Sequence, residues 1–509
     1  MKDALLSLSL LGCAALCGCA VGPDFHAPRA PPDVGYVPLE LPQATASAQV
    51  HGGDSQHLVL EGEVPFEWWR DFHSQPLDDL VAQAFRANPT LPAARAALRQ
   101  AQELVSAQKG FFFPTLGAVY QAERHKVSGN TENSETPGVQ ASGTNLLPHQ
   151  DSQGAPVAAP VYYTFHTAQL TVSFVPDILG GNRRQVESLA AQADAQRFTL
   201  AATYVTLASN LVAAAIQDAS LRAQIAATRQ IIAADTHALE VLRHQFQLGY
   251  AMQINVAAAE AALAAVQTTL PPLQERLEQT RDLIRCLAGG MPGDTLPEFE
   301  LDSLQLPAQV PISLPAKLIG QRPDIKAAEA QLHVANAQVG VAVAAMLPQF
   351  TISGAYGGNA TTLSQMFASG GPFWSLFADA SQPIFHGGTL WHQKRAADAA
   401  LKVAAAQYRS TVITAYQNVG DAIRAILSDA DELGAEVAAE DAAKVTFDLT
   451  RQQMDSGYAD YLTLLNAETA YQQALLARVQ AQAVRFGDTV ALYQALGGGW
   501  WNRKELALE

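Results

Sequence analysis

Charged side chains are scarce in this chain of 509 residues, at 16% of the sequence. Globular proteins typically carry about 25%. Long apolar runs are missing as well. Although 49% of the residues are hydrophobic, no uninterrupted run reaches the ~20 residues that a transmembrane helix needs. Basic residues are outnumbered by acidic ones, and the net charge of −16 argues against a nucleic-acid partner, which requires a basic face.

Cysteine is nearly absent, and three of the four cysteines, Cys13, Cys17 and Cys19, lie at the very start of the chain. The apolar segment 4–16 after Lys2 is typical of a signal sequence and is too short to span a bilayer. Its end, Leu16-Cys17-Gly18-Cys19, is similar to a bacterial lipobox, in which small residues precede a cysteine that is acylated.

We therefore predict a signal peptide over residues 1–18, a lipid on Cys19 and an extended leader over residues 19–63. Leu10-Leu11-Gly12-Cys13 is a second match with a shorter apolar segment, and an ordinary secretory signal is the remaining alternative. Cleavage before Cys19 leaves Cys286 alone, so no disulfide is expected within the mature chain.

Signatures of catalysis are missing too. The sequence contains no HExxH, GxSxG or Walker A lysine motif, and no CxxC outside the predicted signal. His237 and Glu240 share one face of a predicted helix, but two residues are too few for a metal site. Cys286 lies among apolar residues, as an inert core thiol does. We therefore predict no enzymatic activity, no cofactor and no metal.

Residues 182–248 contain neither glycine nor proline and are rich in Ala, Gln, Leu and Val. In alternating steps of three and four from Ala190 to Phe246, thirteen of seventeen positions are apolar. This spacing predicts a coiled-coil seam. One unbroken helix here would approach ~100 Å. The alternative is a fold-back within the stretch, most plausibly at Asp218 and Ser220.

The chain repeats itself. Leu80, Pro89 and Pro114 match Leu314, Pro323 and Pro348 at an offset of 234, and later blocks match at offsets of 207 and 208. This pattern indicates a tandem duplication. We expect a first repeat over residues 64–290, a linker over 291–313, a second repeat over 314–499 and a tail over 500–509. Pro271-Pro272 is expected to end one helix, with Leu273 beginning the next.

Each repeat contains two segments that alternate apolar and polar residues, as strands with two different faces do. They lie near residues 116–120, 170–174, 350–356 and 374–380, and a long polar loop over 124–160 separates the first two. Strands of ~9–11 residues cross a bilayer. A pair of hairpins in water with one wet face would show the same alternation.

Four strands cannot form a closed barrel in lipid, where every unpaired backbone group costs several kcal/mol. A barrel with a water-filled lumen needs well over eight strands. Three copies would supply twelve, so the sequence predicts a homotrimer. The fold class is mainly α, with long coiled-coil helices and four β-strands per duplicated chain. The predicted function of such an assembly is to let solutes pass.

Six short motifs occur in a defined order: Cys19-Ala20-Val21-Gly22-Pro23-Asp24-Phe25, Trp68-Trp69-Arg70-Asp71-Phe72, Asn88-Pro89, Gln321-Arg322-Pro323-Asp324-Ile325, Gly457-Tyr458 and Leu496-Gly497-Gly498-Gly499-Trp500. Together they resemble the TolC-type outer-membrane efflux proteins of the NodT lipoprotein branch. The chain departs from that pattern at His386, where the family often has an acidic or small residue.

The resemblance implies a lipid-anchored homotrimer in the outer membrane of a Gram-negative bacterium. Its 12-stranded β-barrel would continue into a periplasmic α-helical barrel. The implied function is the exit duct of a tripartite efflux pump for small molecules, with a periplasmic adaptor and an inner-membrane RND-type pump as partners. A pore-free periplasmic adaptor or scaffold lipoprotein, and the duct of a protein secretion system, are the alternatives.

The resemblance also places Asp429, Asp431 and Glu432 near the periplasmic tip of the helices. Three copies would then form a ring of carboxylates, and such rings select cations and gate channels. We predict a gate at these residues. The alternative is a solvated turn, because acidic residues are common at exposed helix ends.

Overall fold

The computed structural model describes residues 20–29, 35–37, 41–127, 149–150, 156–157 and 161–503. Cys13 and Cys19, the two candidates for acylation, lie outside these residues. The chain divides into two compact units. The first comprises Met1–Phe25, Ala101–Ala191 and His333–Val403; the second comprises His26–Gln100, Gln192–Leu332 and Ala404–Glu509.

The described strands are β1 (His57–Leu60), β2 (Thr115–Val127), β3 (His149–Gln150), β4 (Pro156–Val157), β5 (Val161–Phe174), β6 (Gln309–Ile312), β7 (Gln349–Ala360) and β8 (Pro372–Ser381). The described α-helices are α1 (Gln75–Ala87), α2 (Thr90–Lys109), α3 (Gly181–Gln247), α4 (Gln253–Leu287), α5 (Pro315–Gln321), α6 (Pro323–Ala344), α7 (Thr389–Asp455) and α8 (Tyr461–Ala495).

The first unit holds an antiparallel sheet of four strands in the order β2-β5-β7-β8. These are the four strands that the alternating segments predict. Thr115 lies opposite Ser173, His166 opposite Ala360, and Tyr356 opposite Trp374. The short pair β3 and β4 falls within the predicted polar loop. In the described part of the chain, β2 and β8 each have one edge without a partner strand.

The long helices repeat the duplication in three dimensions. α3 and α7 each contain 67 residues, and α4 and α8 each contain 35. At about 1.5 Å per residue, each of the longer helices extends for roughly 100 Å. Each is joined to its partner by a tight turn with a glycine at positive φ, Gly249 at 77° and Gly457 at 79°. The predicted long helix of the first repeat is therefore confirmed.

The predicted alternative of a fold-back at Asp218 and Ser220 is wrong, because α3 continues through both residues. The Asp218 carboxylate is 1% exposed and accepts a hydrogen bond from Arg222 Nε at 2.8 Å. Arg281 on α4 lies 3.8 Å away. Two guanidinium groups therefore compensate the buried charge without a turn. α3 is also apolar enough to pass a hydropathy test for a membrane span, but 67% of its apolar window is buried within the protein.

Two further expectations are wrong. Pro271 and Pro272 lie inside a continuous α4 instead of ending a helix. Both prolines are exposed, as are Gln267 and Thr268 four residues earlier, so water can bind the carbonyls that lose their amide partners. Cys286 is exposed rather than buried, because its helix turns Ile284 inward instead.

The leader folds onto the second unit. β1 pairs in parallel with β6, and the preceding turn is held by Arg485 on α8, whose side chain is 0% exposed. Arg485 donates to the carbonyls of Gly52 at 3.0 Å and Asp54 at 2.7 Å. Since backbone carbonyls of the leader satisfy this buried cation, the described residues from 41 onward are part of the fold and not an extended linker.

Candidate functional site

One face of the four-stranded sheet is mainly apolar, and the other carries mainly small and polar residues together with Val119, Phe373 and Phe377. Apolar side chains on the four strands fall into register in rows, one of which is formed by Ala118, Leu170, Tyr356 and Trp374. In the chain on its own, Leu170 is 51%, Tyr356 63% and Trp374 76% exposed. The next row carries Gly117, Thr171, Ala355 and Ser375. An exposed apolar band beside a small and polar one suits a wall with lipid on one side and water on the other.

The residues that directly follow Cys19 are fixed to the start of α3 within the first unit. Arg184, 4% exposed, donates from Nε to the Val21 carbonyl at 2.9 Å and from Nη2 to Asp24 Oδ1 at 2.7 Å. Gly22 has φ of +94° and lies so close to Gly340 that a Cβ there would clash with the backbone. The motif after the predicted lipid attachment point therefore has a packing role that its sequence does not reveal.

The predicted gate residues lie in the middle of a helix. Asp429, Asp431 and Glu432 belong to α7, more than twenty residues before its end at Asp455. At about 1.5 Å per residue the turn after α7 is roughly 40 Å away along the helix axis. Their expected position near the tip is therefore wrong, and so is the alternative of a solvated turn. The expected position came from the family resemblance, which did not give the length of α7, and the helix continues from these residues to Asp455.

The three carboxyl groups differ in environment. Asp431 and Glu432 are exposed, whereas Asp429 is 7% exposed. Burial, together with a hydrogen bond and charge repulsion from Asp488, raises the pKa of Asp429 to about 7. Arg485 opposes this rise but does not cancel it. Asp429 is therefore a group that can bind a proton near neutral pH.

A second buried acidic pair was not predicted. Asp235 on α3 is 8% exposed and Glu468 on α8 is 9% exposed, and their carboxyl groups are hydrogen-bonded to each other. Gln472 Nε2 donates to Asp235 Oδ1 at 3.2 Å. The sequence did contain an indication of this pair, because Asp235 occupies one of the four non-apolar positions of the coiled-coil seam. A polar residue on an otherwise apolar seam needs a partner, which one sequence cannot name.

The helix turns of the second unit carry exposed aromatic residues. Tyr250 is 83% exposed in the α3–α4 turn, and Tyr458 is 88% exposed in the α7–α8 turn. The backbone bonds are the same in both turns: Tyr250 N donates to the Gln245 carbonyl and Tyr458 N to the Gln453 carbonyl, each at 2.8 Å. The duplication therefore presents the same backbone turn twice, with an exposed tyrosine at the matching position.

Curated relatives match nearly the whole chain. It is 26% identical over 497 residues to the pyoverdine export outer membrane protein OpmQ of Pseudomonas putida, covering 97% of this chain and 96% of the relative. It is 25% identical over 506 residues to the toluene efflux pump outer membrane protein TtgC of Pseudomonas putida, covering 99% and 97%.

Solved structures agree on the fold. The outer-membrane channel OprN matches with a TM-score of 0.79 and 27% identity, over 95% of this chain and all of that one. The CmeC outer membrane channel of Campylobacter jejuni matches with a TM-score of 0.82 and 19% identity, over 96% and 97%. The predicted combination of long helices and barrel strands is thereby confirmed at the level of the fold.

The model of one family, described as outer membrane efflux protein, matches residues 80–290 and 314–498. These two ranges cover most of the chain, one in each half of the duplication. Together with the sheet, the paired helices and the efflux relatives, they establish the efflux-protein family that the sequence motifs indicated. The chain belongs to the outer membrane efflux protein family and is an outer-membrane efflux channel.

Proposed function

We propose that three copies of this chain form the exit duct of a tripartite efflux pump, anchored by a lipid on Cys19. The observation that carries the trimer is the pair of open sheet edges, on β2 and β8. A row of unpaired N–H and C=O groups cannot remain in hydrocarbon. If β2 of one copy pairs with β8 of the next, three copies make a closed barrel of twelve strands.

The lipid anchor is supported by the segment beside it. Arg184 holds the backbone of residues 20–22 and the side chain of Asp24 on the same face of α3. This fixed segment begins at Ala20, directly after Cys19 in the sequence, and belongs to the unit that carries the four-stranded sheet. A lipid there adds a second membrane contact to that of the sheet, and stable anchoring generally takes two.

The proposed partners are a periplasmic adaptor and an inner-membrane RND-type pump. The exposed tyrosines of the two helix turns, Tyr250 and Tyr458, offer the adaptor two matching contacts in each copy. The proposed cargo is small organic molecules, since related proteins are named for the export of pyoverdine and the efflux of toluene. The pump draws energy and the duct lets the cargo pass, so no catalytic group is needed in this chain.

We still propose a gate at the acidic residues of α7, but in the middle of the helix and not near its end. We propose that Asp431 and Glu432, exposed on the middle of α7, face the lumen, and that Asp429 behind them adds charge that depends on its proton. Six exposed carboxylates from three copies would favour cations over anions.

Cysteine cross-linking between copies tests the proposed barrel. On a Cys286→Ser background of the full-length lipidated chain, Leu116→Cys on β2 is combined in turn with Trp374→Cys, Leu376→Cys and Ala378→Cys on β8. At least one pair is expected to give covalent trimers in outer membranes under mild oxidation. Leu170→Cys on β5, an inner strand, replaces Leu116→Cys in the control and should give none. Failure of every edge pair to link separate chains would contradict the closed trimer.

A further inference from the structure

Two carboxyl groups from different helix pairs meet in the second unit. Asp235 comes from α3 and Glu468 from α8, each is more than nine-tenths buried, and they are hydrogen-bonded to each other. Two ionised carboxylates repel each other and neither has a proton to donate, so a hydrogen bond between them requires that one carry a proton. The contact between α3 and α8 therefore includes a proton as a structural component.

The duplication supplies a reference for how this glutamate pairs elsewhere. At the offset of 208, Arg243 and Glu260 correspond to Arg451 and Glu468. In the first repeat the glutamate accepts a hydrogen bond from its arginine, with Glu260 Oε1 2.7 Å from Arg243 Nη2. In the second repeat Arg451 forms no ion pair among the residues that the structure describes, although its charge reaches Glu468. Glu468 has thus exchanged the expected arginine for Asp235.

A cavity of about 430 Å³ lies beside Glu468 and Arg451. It is lined by Glu468, Arg451 and Gln472 together with apolar side chains such as Leu242 and Leu464. A water molecule occupies about 30 Å³ in the liquid, so the cavity has room both for the glutamate side chain and for water around it. Glu468 can therefore turn toward Arg451 without displacing a helix first.

The surrounding charges are few. The other titratable groups at the cavity are His237 on α3, Arg451 and Asp455 on α7, and Tyr461 and Tyr471 on α8. α4 contributes Glu260, which is held by Arg243. Burial, followed by the charge of Asp235, raises the pKa of Glu468 to about 7, and Arg451 opposes this rise. Burial also raises the pKa of Asp235. The shared proton is therefore lost as the pH rises through neutrality.

We infer that Asp235 and Glu468 form a proton-binding site that fastens α8 to α3, and that Glu468 turns to Arg451 when the proton leaves. Loss of the proton breaks the hydrogen bond between the carboxyl groups and creates repulsion between α3 and α8. The new pair, Arg451 with Glu468, lies within the second helix pair, as Arg243 with Glu260 lies within the first. The two helix pairs are then joined at this point only by the hydrogen bond from Gln472 to Asp235.

A distance measurement in the purified full-length protein tests this inference. On a Cys286→Ser background, spin labels are placed at the exposed positions Glu240 on α3 and Gln473 on α8. The distance between them is measured by pulsed electron paramagnetic resonance from about pH 5 to about pH 9, a range that brackets the titration. We expect the distance to lengthen by several ångströms with a midpoint near neutral pH.

Variants identify the groups responsible. Glu468→Gln keeps a neutral hydrogen-bonding side chain, so its distance should stay at the low-pH value throughout, and Asp235→Asn should act in the same way. Glu260→Gln is the matched control from the first repeat and should titrate like the parent. Arg451→Gln should move the midpoint to higher pH, because the cation that favours the ionised glutamate is gone.

The inference is overturned if the parent distance does not depend on pH, or if Glu468→Gln shifts with pH as the parent does. Asp429→Asn is run alongside, and loss of the response there but not in Glu468→Gln would assign it to Asp429. Measuring single-channel conductance over the same pH range tests whether the site also affects transport. Of the two measurements, only the conductance rests on the proposed function. A pH-dependent distance without any pore would leave the proton site standing and contradict the proposed channel.

Discussion

At the scale of single residues, the buried charges fasten separate parts of the chain together. Arg485 binds the leader, Asp218 joins α3 to α4 through Arg281, and Arg184 holds the segment that follows Cys19. A buried charge is costly unless it is fully paired, so each of these residues makes its neighbours' positions depend on one another. Replacing one of them should therefore affect a remote segment.

Arg485→Leu should detach the leader. The variant leaves the carbonyls of Gly52 and Asp54 without their donor, and we expect a loss of ~3 kcal/mol in the free energy of unfolding. Thermal unfolding gives the loss, and faster proteolysis within residues 41–56 locates it. Arg478→Leu is the control on the same helix, since Arg478 is partly exposed and bound to Glu440, and it should cost about 1 kcal/mol or less. Equal effects of the two variants would contradict the role of Arg485.

Asp429 should make stability depend on pH. Its pKa in the folded protein is raised to about 7 from 3.8, so the folded state holds a proton that the unfolded state releases. Stability therefore falls as the pH rises between these values. Asp429→Asn cannot ionise and should be more stable than the parent at about pH 8, by ~2 kcal/mol, with no difference at about pH 4. Thermal unfolding from about pH 4 to about pH 8 measures this difference in stability, with the exposed Asp431→Asn as control. An equal loss of stability with rising pH in the parent and in Asp429→Asn would contradict a buried acid at this position.

At the scale of helices and strands, the sequence predicted the type of each element well but predicted breaks in the long helices that do not occur. Periodicity and the lack of glycine and proline were enough to predict the length of α3, and alternation was enough to predict all four strands of the sheet. The predicted helix breaks at Asp218 and at Pro271-Pro272 were wrong because the effect of these residues on a helix depends on their surroundings in the folded protein. A guanidinium on another helix compensates Asp218, and exposure to water makes the proline pair tolerable. Neither is visible in a local window of sequence.

The two helix turns differ in one respect that the duplication makes testable. The N-cap residue of α8 is Asp460, whose side chain accepts a hydrogen bond from Thr463 N at 2.8 Å, whereas the N-cap residue of α4 is Met252, which provides no side-chain cap. Met252→Asp should stabilise the first turn of α4, and Asp460→Ala should loosen that of α8. Amide hydrogen exchange should slow several-fold in the first turn of α4 in Met252→Asp, and should become several-fold faster in the first turn of α8 in Asp460→Ala. Unchanged exchange at residues 253–256 in Met252→Asp would show that the cap is not limiting.

At the scale of the whole molecule, the sequence showed the duplication but not the differences in side-chain pairing between the two repeats. Matching offsets predicted two similar halves, and the structure gives them helices of equal length. The site residues depend on where the halves differ. Glu468 departs from the pairing of Glu260 because α3 contributes Asp235, and Asp429 lies beside Arg485, which also holds the leader. The contact of Glu468 with Asp235 and that of Arg485 with the leader each join segments more than two hundred residues apart, so one sequence without its structure does not specify them.

The assembled channel should prefer cations, and the middle of α7 should set that preference. Asp431 and Glu432 are exposed in a chain with a net charge of −16. In planar bilayers under a salt gradient, the reversal potential should show cation selectivity, and Asp431→Ala with Glu432→Gln should reduce it severalfold. Asp429→Ala should raise the conductance, because it removes a side chain and a charge behind the ring. Asp441→Asn, exposed further along the same helix, should change neither property. If the selectivity and conductance of all the variants equal those of the parent, α7 does not line the narrow part of the channel at these residues, and the gate must be sought nearer the helix turns.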